Sequence, residues 1–154
     1  MHGIWQVVRI DQHMKKGDFP KIENIRSSMM HAKEGNGRLH LLGLISDGGV
    51  HSHQTHLYAL LATAKELEIP HVYIHFFGDG RDTDPRSSAR YLQELLDKIN
   101  ELGMEKTAKI GTVVGRYYAM DRDKRYRLTG LGTRDAQANY WDPDGRELKL
   151  LWGD

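Results

Sequence analysis

Three apolar, strand-length runs, Leu39 to Ile45, His71 to Phe77 and Ala108 to Val114, recur along this chain with amphipathic stretches between them. That alternation limits the possible folds more than any other feature. Short, nearly continuous apolar runs bounded by turn residues suit the buried strands of a parallel sheet. Strand, helix, strand, helix, strand at this spacing implies right-handed βαβ crossovers. The expected fold is therefore α/β, a three-layer α/β/α sandwich with a mainly parallel sheet.

The stretches between the runs supply the helices. One is expected from about Ser52, with Leu57, Leu60, Leu61, Ala64 and Leu67 on one face and Ile69-Pro70 as its end. In the next, Asp84 is a good N-cap with Pro85 at the first helical position. Leu92, Leu95, Leu96, Ile99 and Leu102 form its apolar face, and Gly103 is its stop. Upstream, Ile22, Ile25, Met29 and Met30 recur at roughly helical spacing, so a helix should end near Gly35-Asn36-Gly37, with the methionines as packing. Ile4 to Ile10 suits a strand or a short helix, and Lys15 to Pro20 reads as a loop.

Each run stops at a polar cluster. The first ends in Ser46-Asp47-Gly48-Gly49, followed by His51, His53 and His56; the second in Gly78-Asp79-Gly80-Arg81-Asp82; the third in Gly115-Arg116. In a doubly wound sheet these ends share one edge, where α/β folds bind ligands. Glycines there admit positive φ and leave N–H groups uncovered, which suits an anion beside a helix start. Each cluster also has a plain reading. Asp47-Gly48-Gly49 and Gly78 to Asp82 could be ordinary turns, and Arg116 and Arg122 surface charges beside Asp121, Asp123 and Lys124. His51, His53 and His56 could share a metal ion, although no carboxylate or cysteine stands beside them at ligand spacing. His53 and His56 would equally suit a solvated first helical turn. The usual glycine-rich phosphate loops of nucleotide folds are absent.

Composition narrows the classes. A chain of 154 residues is one domain's length. With 22 basic and 21 acidic residues the formal net charge is +1, which gives no field favouring nucleic acid or an anionic membrane. Cysteine is absent, so disulfides and thiolate metal sites are excluded and a reducing compartment is compatible. No apolar run is long enough to span a bilayer and no secretory leader opens the chain, so a soluble, cytoplasmic protein is expected.

The longer motifs carry a family resemblance. Leu42 to His53, Phe77 to Arg86 and Gly115 to Arg125 resemble the cofactor-independent (2,3-bisphosphoglycerate-independent) phosphoglycerate mutases, and Val8 to Asp11 and Asn24-Ile25 also fit. These stretches come in the family's order, and the resemblance runs from about Val7 to Arg125. It implies interconversion of 3-phosphoglycerate and 2-phosphoglycerate, in glycolysis and gluconeogenesis. It covers part of the domain that holds glycerate while the phosphoryl group moves. The other domain of such enzymes binds two metal ions, usually Mn²⁺, and a serine that takes the phosphoryl group. No metal is expected on this chain.

By motif position, His51 resembles the family's phosphate-side histidine. Arg81 and Asp82 resemble the pair on the glycerate hydroxyls, with Asp82 as proton shuttle, and Arg116 and Arg122 the arginines that grip carboxylate and phosphate. Guanidinium forks match such oxygens bidentately. The resemblance thus implies residues 1–125 as a partial transferase-type domain and 126–154 as a divergent tail that departs from the family pattern at Tyr126. A truncated or aberrantly joined gene product would explain that departure. The expected partner is phosphoglycerate, and the isolated chain is expected to be inactive, binding phosphorylated glycerate at most.

Overall fold

The computed structural model describes residues 2–120. Helix α1 (His2–Lys16) is followed by a short 3₁₀ turn (Phe19–Lys21), α2 (Glu23–Glu34), β1 (Arg38–Ile45) and α3 (Gln54–Glu66). Then come β2 (His71–Gly78), α4 (Ser88–Glu101), β3 (Ala108–Gly115) and the single turn α5 (Arg116–Ala119). The strands form one parallel sheet in the order β1-β2-β3, with Arg38 opposite His71 and Val72 opposite Ala108. The α/β architecture with a parallel sheet follows the apolar pattern of the sequence.

Strand alternation sorts the core. Leu39, Leu41 and Ile45 from β1, Val72, Ile74 and Phe76 from β2, and Ala108 and Ile110 from β3 join one cluster. Met29 from α2, Leu61 and Ala64 from α3, and Tyr91, Leu95 and Ile99 from α4 complete it, so these helices share one sheet face. Met29 is packing, as its helical spacing suggested, and Met30 lies against the same cluster. Positions of opposite parity, including His40, Leu42, Tyr73 and His75, belong to the other face.

Several local expectations need revision. The stretch Ile4 to Ile10, open between strand and helix, is helical, and α1 runs on to Lys16, inside the segment read as a loop. Asp84 is not an N-cap. Arg86 takes φ of 70°, which breaks a helical path from Pro85, and α4 begins at Ser88 behind Ser87. The carbonyl of Asp84 instead accepts from the Ser87 amide and hydroxyl, closing a turn. Leu96 is 42% exposed and does not belong to the buried face. That face is centred on Tyr91, Leu95 and Ile99, spaced four apart, and Leu96 lies about 100° around the helix from Leu95. Gly103 does end α4, at φ of 66°.

Candidate functional site

The carboxyl ends of the three strands converge on Asp79, the first residue after β2. Its Oδ1 accepts from the backbone N–H groups of Gly80 (2.8 Å), Arg81 (3.1 Å) and Asp82 (3.1 Å). Its Oδ2 accepts from Ser46 Oγ (2.8 Å) just past β1, and Arg116 Nη1, at the end of β3, donates to Oδ1 (3.2 Å). One carboxylate therefore ties all three strand ends together. Burial opposes its ionisation, but the N–H groups of Arg81 and Gly80, the Ser46 hydroxyl and the N–H of Asp82 outweigh that and hold its carboxyl well below the usual range.

Arg116 is shared. Nη1 lies 2.7 Å from Asp82 Oδ2 as well as 3.2 Å from Asp79. Burial works against its charge, yet Asp82 and Asp79 raise its pKa further, so it stays cationic. His51 Nε2 stands 4.0 Å from the same Asp82 oxygen, on a half-exposed ring. Arg81 is exposed at the turn, and among the described residues its guanidinium meets no carboxylate. His51, Arg81, Asp82 and Arg116 are thus drawn to one edge of the sheet. Arg122 lies outside the described residues, as does the stretch 126–154 read as a tail.

Glycine allows the two loops to meet. A Cβ at Gly48 would come within 3.0 Å of Asp82 Cβ and 3.3 Å of the Asp82 carbonyl. Gly78 gives similar room to Ser88, whose hydroxyl donates to the Asp79 carbonyl (3.1 Å). The loop after β1 is held from below as well. The Gln54 amide donates to the Ser46 carbonyl (2.7 Å), and the buried Tyr91 hydroxyl donates to Asp47 Oδ1.

The histidines after Gly49 do not converge. His53 caps α3, accepting from the Thr55 amide, while His56 pairs with Asp11 of α1 at 2.7 Å and His51 turns toward Asp82. Among the described residues no group of three His, Cys, Asp or Glu side chains is placed to hold a metal ion.

Sequence reasoning noted Asp79 and Ser46 at the strand ends but did not count them as site residues. An Asp followed by a glycine turn at a strand end was the available signal. Tyr91 was missed altogether, although it continues the Leu95–Ile99 spacing back by one helical turn.

Comparison with known proteins identifies the family. The family model described as the BPG-independent PGAM N-terminus matches residues 10–137, running past Arg125, where the quoted motifs stop. The 2,3-bisphosphoglycerate-independent phosphoglycerate mutase of Onchocerca volvulus is 51% identical over 120 residues, which is 78% of this chain and 23% of that protein. The enzyme of the same name from Listeria innocua is 50% identical over 120 residues, again 78% of this chain and 23% of the relative. Among solved structures, a Leishmania mexicana phosphoglycerate mutase studied at low cobalt concentration superposes with a TM-score of 0.75 at 30% identity, over 83% of this chain and 24% of that one. The chain spans about a quarter of the length of the curated relatives it matches. With a family model covering most of its length and its motif residues gathered at the sheet edge, this chain belongs to the BPG-independent phosphoglycerate mutase family.

Proposed function

We propose that this chain is the glycerate-holding part of a phosphoglycerate mutase, contributing to interconversion of 3-phosphoglycerate and 2-phosphoglycerate. The observation that carries the reading is Arg116, held part-buried between Asp79 and Asp82 with His51 beside Asp82. In this reading Arg116 and Arg122 grip the substrate's carboxylate and phosphate, while Arg81 and Asp82 contact the glycerate hydroxyls. Asp82, released from Arg116 as the substrate enters, accepts the proton of the glycerate hydroxyl whose oxygen attacks phosphorus. His51 lies on the phosphate side of that carboxylate. Positioning and charge neutralisation are most of what phosphoryl transfer asks of a protein. The phosphoryl acceptor and the metal ions, Mn²⁺ by resemblance, belong to the family's other domain, and no step described here runs through them.

A second reading follows from the same geometry. The described residues offer grips and a base, and the hydroxyl among them, Ser46 Oγ, is buried and engaged in donating to Asp79, so by itself the chain binds phosphorylated glycerate weakly and turns nothing over. Titrating 3-phosphoglycerate into isotope-labelled chain should move the amide resonances of Gly48, Arg81 and Arg116 selectively. No selective shift at saturating ligand would overturn the binding role. Chelator-sensitive formation of 2-phosphoglycerate by the purified chain would overturn the second reading instead.

A further inference from the structure

We propose that Asp79 is a positioning residue for ligand capture, one that anchors a single nitrogen of Arg116 so that the rest of the guanidinium can grip an anionic group. The inference rests on the reading of this sheet edge as the holder of phosphorylated glycerate. The Asp79 side chain is only 2% exposed, so it touches no ligand itself and acts through the residues that do. Four donors converge on its Oδ1: the backbone N–H groups of Gly80, Arg81 and Asp82, and Arg116 Nη1. One oxygen therefore places the anionic grip and, through two backbone bonds, the loop whose side chains face the glycerate hydroxyls. The distance between those two parts of the site is set by Asp79.

The way Arg116 is held supports this division of labour. Both of its hydrogen bonds run from Nη1, at 3.2 Å to Asp79 and 2.7 Å to Asp82. Among the described residues Nη2 and Nε have no partner, and that edge of a guanidinium matches the paired oxygens of a carboxylate or phosphate. Asp82 must leave Nη1 before it can take a hydroxyl proton. Asp79 need not, because backbone N–H groups and the Ser46 hydroxyl hold its charge in place. Ser46, itself 1% exposed, donates to Oδ2 at 2.8 Å and so fixes the rotation that keeps Oδ1 on the turn and on Arg116. Arg116 thus keeps one anchored nitrogen when Asp82 lets go, and Ser46 is a second positioning residue behind Asp79.

The test is a double-mutant cycle on the purified full chain, with 3-phosphoglycerate as the probe and amide resonances as the readout. D79N keeps an oxygen for the turn amides and removes the charge that faces Arg116, so binding should weaken about tenfold. R116Q should also weaken binding, and D79N/R116Q should bind no worse than R116Q alone, because Asp79 acts through Arg116. In the ligand-free chain the two Nη resonances of Arg116 should be separate in the parent and averaged in D79N. S46A keeps the carboxylate charge and should weaken binding about threefold, again without further loss beside R116Q; it carries the test if D79N does not fold. Unchanged or tighter binding in D79N, or an equal further loss in the R116Q background, would overturn the proposal. If the parent shows no selective shift, the phosphoglycerate reading falls, and the Arg116 resonances still decide whether Asp79 holds that side chain: separate Nη signals in D79N would show that it does not.

Discussion

Asp79, at the end of β2, and Arg116, at the end of β3, form an ion pair with an Nη1–Oδ1 distance of 3.2 Å and side chains only 2% and 11% exposed. Removing one partner of such a pair leaves the other charge in place with less compensation. Asp79→Asn should therefore destabilise the chain by about 3 kcal/mol. Urea unfolding of parent and variant measures this, and a change under about 0.5 kcal/mol would show the pair to be incidental.

The same carboxylate sets an acid limit on the fold. Its folded pKa lies below that of an unfolded aspartate, about 3.9. The unfolded chain thus binds the proton more readily, and the stabilisation is present above that value and lost as pH falls toward the folded one. Stability measured downward from about pH 5 should drop less steeply in Asp79→Asn than in the parent. Parallel curves would mean that other carboxylates govern acid unfolding.

Gly48 is where the first loop touches the second. Gly48→Ala would set its methyl 3.0 Å from Asp82 Cβ and must displace one of the two loops. A loss of about 1–3 kcal/mol is expected, with shifted amide resonances at Asp82 and Thr83. An alanine variant with the parent's spectrum and melting temperature would contradict this contact.

Tyr91 supports the first loop from the core side. Tyr91→Phe leaves Asp47 without the buried hydroxyl that donates to it, and Arg90 Nη2, 3.5 Å from the other Asp47 oxygen, becomes its remaining partner. A cost of about 1 kcal/mol is expected, and hydrogen exchange should quicken between Asp47 and Ser52. Unchanged exchange in that segment would mean the loop is held from elsewhere.

For the proposed chemistry, Asp82→Asn and Arg122→Ala should separate when introduced at the matching positions of a complete two-domain mutase. The first should lower kcat by about 10²–10⁴-fold with little effect on KM. The second should mainly raise KM, because its grip is present in the ground state as well. If Asp82→Asn keeps kcat within a few-fold of the parent, Asp82 orients Arg116 and moves no proton.

The fold was readable because its strands and helices are periodic over lengths that turn residues punctuate. Leu39 to Ile45 and His71 to Phe77 carry their own boundaries in Ser46-Asp47-Gly48 and Gly78-Asp79-Gly80. The convergence of Ser46, Asp79 and Arg116 was readable for a similar reason, since parallel strands place their ends at one edge. What stayed hidden depends on local backbone choice or on distance. The φ of Arg86 displaced the start of α4 from Asp84, and no residue type announces that in advance. The pairing of His56 with Asp11 spans 45 positions and follows how α1 lies on α3, which no periodicity encodes. Asp79 was read as one polar residue among several because its partners are mostly backbone N–H groups, which a sequence does not display.

Among the described strands, ordered β1-β2-β3, β2 alone has neighbours on both sides, and it is β2 that ends in Asp79. The amides of that strand should be the last to exchange with solvent, opening only when the whole unit opens. The carboxylate that gathers Ser46, Arg81, Asp82 and Arg116 is thus anchored to the slowest-opening segment among the described residues. In a denaturant titration, the capacity to recognise an anionic ligand and the folded state itself should disappear in one transition.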